Sequence, residues 1–154
     1  MYERSRKVSR KGSENLDKHL LEALYHRYYK ELYIFVYSLC GSETVTDDIL
    51  QDTFLKALLA LKDSHTNMRA WLYMVARNLF YNQQKKKSKE ILTEEQNDIP
   101  EESTNGDLLE NILAEESRRL LYQSIQKLEV RKREIIQMQY FGGMSQKEIA
   151  AILY

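Results

Sequence analysis

The stretch LDKHLLEALYHRYYKELYIFVYSLC, residues Leu16 to Cys40, decides the fold class. Its apolar residues, Leu16, Leu20, Leu24, Tyr28, Leu32, Phe35, Val36 and Leu39, recur in steps of three and four, the period of one helix face. A second stripe, Leu21, Tyr25, Tyr29, Tyr33 and Tyr37, widens that face with rings that bury their bodies and keep a hydroxyl wet. Nothing in the stretch alternates with period two. Gly41 ends the pattern.

Working outward, Thr44 and Asp47 have capping-box spacing ahead of a second helix, about Thr46 to Lys62, with Leu50, Phe54, Ala57, Leu58 and Leu61 as its core face. Its other surface carries Asp48, Gln51, Asp52, Leu55 and Leu59, which is too apolar and too acidic at once for a plain solvent coat. A mixed stripe of this kind suits a protein partner, since leucines supply area to desolvate and carboxylates pair with arginines.

A third helix, about Met68 to Lys89, follows the polar loop Asp63-Ser64-His65-Thr66-Asn67 and buries Met68, Leu72, Val75, Ala76 and Leu79. It ends in Lys85, Lys86, Lys87 and Lys89, with Trp71, Tyr73, Arg77, Asn78, Phe80, Tyr81, Gln83 and Gln84 around that basic surface. Stacking groups and amides interleaved with cations are what single-stranded nucleic acid prefers.

The net charge of zero hides a division along the chain. Residues 1–89 hold 16 basic and 10 acidic side chains, 90–116 hold ten acidic and no basic ones, and 117–154 hold seven basic and three acidic. Two basic segments thus flank an acidic one, as expected if both ends meet a polyanion and the middle is a tether. The expected layout is a basic, flexible tail at 1–15, a helical domain at 16–89, an acidic linker at 90–107 around Pro100, and a second helical domain at 108–154.

In that second domain the helical patterns hold Leu108, Leu109, Ile112 and Leu113, then Leu120, Leu121, Ile125 and Leu128, then Val130, Ile135, Ile136 and Met138. After a break at Phe141-Gly142-Gly143, Ser145 and Glu148 make a capping box for a helix from Gln146 to Leu153 that buries Ile149, Ala150 and Leu153. A helix, a glycine turn and a capped short helix is how a helix-turn-helix unit begins. The fold class is therefore all-α, with two small helical domains.

Several function classes drop out. No apolar run reaches the roughly 20 residues of a membrane span, and basic Met1 to Lys11 leads into no apolar signal core, so a cytoplasmic location is expected. Lone Cys40 reads as a core residue in a reducing compartment. His19, His26 and His65 lack metal-ligand spacing, and no phosphate loop or nucleophile triad can be singled out, so neither an enzyme nor a cofactor or metal site is expected.

The runs Thr46 to Ala57, Ala70 to Leu79, Arg133-Glu134-Ile135-Ile136 and Tyr140 to Ala150, in this order, resemble the extracytoplasmic-function class of bacterial RNA polymerase sigma factors. That resemblance implies a sigma region 2-like domain that docks on the clamp helices of core RNA polymerase and opens the −10 promoter element, and a region 4-like domain that reads −35 DNA. It places Asp48, Gln51, Asp52, Leu55 and Leu59 at the polymerase. Asp63, Ser64, His65, Thr66, Asn67, Arg77, Asn78, Tyr81, Lys85, Lys86 and Lys87 fall at the −10 DNA, and Ser145, Gln146 and Lys147 at the start of the helix-turn-helix. An anti-sigma partner is expected on the polymerase-binding faces.

This chain departs from the family pattern in three places. Leu128-Glu129 stands where the family has Leu-Pro, Met68 stands where the family frequently has an aromatic residue, and the chain stops at Tyr154 before a recognition helix. The last departure raises the expectation of incomplete −35 reading, or of a second polypeptide that completes it. A pure interaction module, binding polymerase or an inhibitor without reading a promoter, is the competing expectation.

Overall fold

The computed structural model describes residues 3–60, 67–91 and 107–154, all in helices and short connections. The order is α1 (Glu3–Cys40), α2 (Glu43–Ala60), α3 (Met68–Ile91), α4 (Asp107–Ile112), α5 (Glu116–Gln126), α6 (Val130–Tyr140) and α7 (Gln146–Leu153). Helix α1 starts at Glu3, so the backbone of 3–15 is helical where the sequence suggests a flexible tail. The segment has Arg, Lys and Glu as good helix formers and no proline, and Gly12 is its weakest helix former, at a cost of about 1 kcal/mol. The apolar stripe of α1 is only half used: Leu16 is 62% exposed and Leu20 41%, and full burial begins at Tyr28.

Gly41, at φ +66°, closes α1 by donating its N–H to the Tyr37 carbonyl. The cap of α2 is Ser42, whose hydroxyl accepts the Val45 N–H, and not the expected Thr44–Asp47 box. Thr46, two positions after Thr44, is turned inward and donates its hydroxyl to the Ser42 carbonyl. Leu32, Tyr33, Phe35 and Val36 of α1 pack on Ile49, Leu50, Phe54 and Ala57 of α2 and on Leu72, Tyr73, Ala76 and Phe80 of α3. The tyrosine stripe lines the α1–α2 seam: Tyr25 stacks on Tyr29, Tyr33 on Tyr37, and Tyr29 reaches Asp47.

The core does not stop at the end of α3. Met138, Met144, Ile149 and Ile152 of the C-terminal helices join the same cluster, and Ile34 of α1 packs with Leu113 and Tyr122 beneath α4 and α5. In α7 the buried pair is Ile149 and Ile152. Ala150 is exposed, contrary to the sequence expectation, and Leu153 is half-buried. Leu120, Leu121 and Val130 also face outward. The expected linker is shorter at both ends, since Glu90 and Ile91 continue α3 and Asp107 opens α4.

Candidate nucleic-acid interface

Helix α2 presents two clean faces. Ile49, Leu50, Thr53, Phe54 and Ala57 are buried, while Asp48, Gln51, Asp52, Leu55 and Leu59 are all exposed, Leu55 at 55% and Leu59 at 73%. The five residues singled out from sequence thus share one solvent-facing stripe, with two large leucines that gain nothing from the chain's own core.

Helix α3 is less open. Asn67 caps it, its side-chain oxygen accepting the Ala70 N–H. Arg69 ties the helix to α1 through Glu31, at 2.9 Å, and burial pushes the Glu31 carboxyl up, a shift Arg69 partly offsets. Asn78, Lys85, Lys86 and Lys87 are exposed, the lysines in the C-terminal part of the helix where cations also complement its dipole. Tyr73 and Phe80 are buried core residues and so lie outside the stacking surface to which the sequence reading assigned them. Asp63, Ser64, His65 and Thr66 lie outside the described residues.

Three of the expected DNA-facing side chains are met by the C-terminal half. Arg77 Nε donates to Glu134 Oε1 at 2.8 Å, and its guanidinium lies 4.7 Å from the centre of the Tyr81 ring. Burial, with the Glu134 carboxylate beside it, pushes the Tyr81 hydroxyl up. The Asn67 amide donates to Glu148 of α7. Glu148 also closes the capping box with Ser145, by accepting the Ser145 N–H at 2.7 Å, and its carboxyl is held below the ordinary range chiefly by those Ser145 hydrogen bonds. Ser145 is thus engaged in the cap, whereas the side chains of Gln146 and Lys147 are exposed.

Further polar contacts hold the halves together. Ser38 donates to Gln137 at 2.6 Å, and Arg133 donates to the Ser38 carbonyl at 2.9 Å while also holding the carbonyls of Gln126, which ends α5, and Leu128 just beyond it. Gly142 brings its turn against α3, where a Cβ would lie 2.7 Å from the Met138 carbonyl oxygen and 2.9 Å from Tyr73 Oη. The fit is imperfect: Tyr73 Oη, Gln137 Nε2 and Arg133 Nε are buried without a hydrogen-bond partner, each at a cost of about 1–3 kcal/mol. A cleft of about 390 Å³ remains between Trp71 and Met74 of α3 and Ala151 and Ile152 of α7.

Glu134 and Gln137, which meet Arg77 and Ser38, are the contact residues that the sequence reading missed. Both sit on the Met138 face of α6, at the i, i+3 and i+4 positions that share a helix face, which was the available signal.

Comparison with known proteins decides the family. Residues 24–90 match the family described as Sigma-70 region 2 and residues 118–153 that described as Sigma-70, region 4. The chain is 31% identical to the RNA polymerase sigma factor YlaC of Bacillus subtilis over 136 residues, covering 86% of this chain and 79% of that protein. The chain belongs to the RNA polymerase sigma factors, in the extracytoplasmic-function class. It is 27% identical to the ECF RNA polymerase sigma factor SigL of Mycobacterium tuberculosis (92% of this chain, 81% of that one) and 24% identical to SigM of Bacillus subtilis (86% and 81%). This sigma factor is a promoter-specific transcription initiation factor, with α1–α3 carrying region 2 and α5–α7 carrying region 4. No described helix of it is long and apolar enough to cross a membrane.

Proposed function

We propose that the outer face of α2 is the docking surface for the clamp helices of core RNA polymerase, and that α3 with the loop before it engages the −10 element. The observation that carries this reading is the exposure of Asp48, Gln51, Asp52, Leu55 and Leu59 together in one stripe, opposite a fully buried face. Desolvating the leucines supplies area, and the two carboxylates select an arginine-rich partner.

On α3, exposed Asn78 holds a base drawn out of the non-template strand, and Asp63, Ser64, His65, Thr66 and Asn67, which precede the helix in sequence, serve the same element. Unstacking that base costs a few kcal/mol. Phosphate contacts from Arg77, Lys85, Lys86 and Lys87 offset it, with Tyr81 as the ring beside them. Ser145, Gln146 and Lys147 begin the helix-turn-helix on the −35 side. An anti-sigma protein that silences this factor competes for the α2 stripe.

The test is core polymerase binding by the full chain carrying Asp48→Lys and Asp52→Lys. The reading expects binding to fall a hundredfold or more with the helical content unchanged. Loss of helix, or binding at the original affinity, contradicts it.

A further inference from the structure

We propose that the cleft between α3 and α7 is a binding site for a small amphipathic anion, a flat apolar body of two or three rings that carries one carboxylate or sulfonate. The proposal rests on the walls and rim of the cleft and is independent of what α3 binds elsewhere. Trp71 and Met74 of α3 and Ala151 and Ile152 of α7 form the walls of a space of about 390 Å³. Ligand pockets span about 300–1,000 Å³, with apolar walls and a few polar groups that fix orientation. The cleft has the size and the lining for one small molecule.

Each wall contributes something different. The indole of Trp71 is a flat surface on which a ring stacks, and Met74 follows the outline of what it meets through its three rotatable bonds. On the α7 side, Ala151 is exposed and has only a methyl group, which leaves room instead of filling it.

The rim sets the sign of the charge. Asn67, Lys147 and Glu148 line it. Both oxygens of Glu148 are taken, one by the Asn67 amide and the other by the Ser145 N–H. The Lys147 side chain is exposed, and its ammonium makes no ion pair or hydrogen bond among the described residues. With the carboxylate engaged and the ammonium free, the cleft selects an anionic head group. A ligand that fills it binds only while α3 and α7 are in contact, and it favours that contact by mass action.

The test is a fluorescence titration of the full chain with 8-anilinonaphthalene-1-sulfonate and with N-phenyl-1-naphthylamine, the same ring system without the sulfonate. Both probes brighten in apolar surroundings, and emission from Trp71, the single tryptophan of the chain, reports the α3 wall. The proposal expects saturable binding of the sulfonate at one site per chain, with quenching of Trp71. The neutral probe should bind about three- to fivefold more weakly, the scale of one solvent-exposed charge contact. Lys147→Ala should lower affinity for the sulfonate by that factor and leave the neutral probe unmoved. Ala151→Phe, which fills the cleft from an exposed position, should lower affinity for both probes about tenfold or more. Lys132→Ala, at an exposed lysine outside the cleft, should change neither.

Binding that does not saturate, or that leaves Trp71 emission unchanged, overturns the proposal. Binding that survives Ala151→Phe and is lost in Leu55→Asp/Leu59→Asp belongs to the α2 stripe and overturns it too. Equal affinity for the two probes, or Lys147→Ala indistinguishable from wild type, has the same consequence. If Ala151→Phe loses its helical signal in circular dichroism, Ala151→Leu takes its place with the same direction expected.

Discussion

The outer faces of α2 and α3 belong to the same three-helix unit, yet one is bare and the other is partly covered. On α2, Leu55 and Leu59 stand in solvent beside Asp48 and Asp52. On α3, Arg77 and Asn67 are already held by carboxylates of the C-terminal half. The difference teaches that the stripe on α2 is left wholly to a partner, whereas part of the surface at α3 is spent on contacts within the chain itself.

The largest effect that separates the two faces is expected from Leu55→Asp/Leu59→Asp. Core polymerase affinity should fall a hundredfold or more while stability drops by only about 1–2 kcal/mol, the cost of two poorer helix formers and their added like charges. A large loss of Tm would make the stripe structural and erase the contrast. Next comes Gly142→Ala, where the added Cβ meets the Met138 carbonyl and Tyr73. Overpacking of this kind costs about 1–3 kcal/mol, and it should show in chemical denaturation as destabilisation of the α6–α7 turn.

Asn78→Ala should leave stability unchanged, because the side chain is exposed, and should lower open-complex formation about tenfold, or about 1.4 kcal/mol. An equal loss in polymerase binding would argue against base capture. Tyr73→Phe removes a buried hydroxyl that has no partner, so it should be neutral or stabilise by up to about 1 kcal/mol in urea titration.

The smallest expected effect is that of acid on α7. The folded-state carboxyl of Glu148 is depressed, so its contribution is complete above the ordinary carboxylate range and is lost as pH falls through the depressed value. Glu31, raised by burial, has the opposite sign and offsets part of the loss. Protection factors for amide exchange in α7, that is, rates corrected for their intrinsic pH dependence, should therefore fall as acid protonates Glu148, and Glu148→Gln should remove that dependence.

Much of this arrangement was legible in the sequence, for identifiable reasons. The period of α1 between Tyr28 and Cys40, the two faces of α2 and the Ser145–Glu148 box rest on local spacing, and the structure has all three. The misplaced features depend on what packs where. Leu16 and Leu20 obey the helical period but find no neighbour to cover them, and Tyr73 and Phe80 read as stacking groups until Leu72 and Ala76 draw that side of α3 into the core. Glu134 looks like an ordinary surface carboxylate, because only the fold brings Arg77, 57 residues earlier, to meet it.

The most direct test of the account is the distance between α3 and α7 in solution. Spin labels at Asn82→Cys and Ala150→Cys, both exposed positions, in a Cys40→Ser background allow it to be read by double electron–electron resonance. The account predicts one narrow distance in the free chain, because Met138, Met144, Ile149 and Ile152 share one buried core with α3. A broad distribution in the free chain would contradict it.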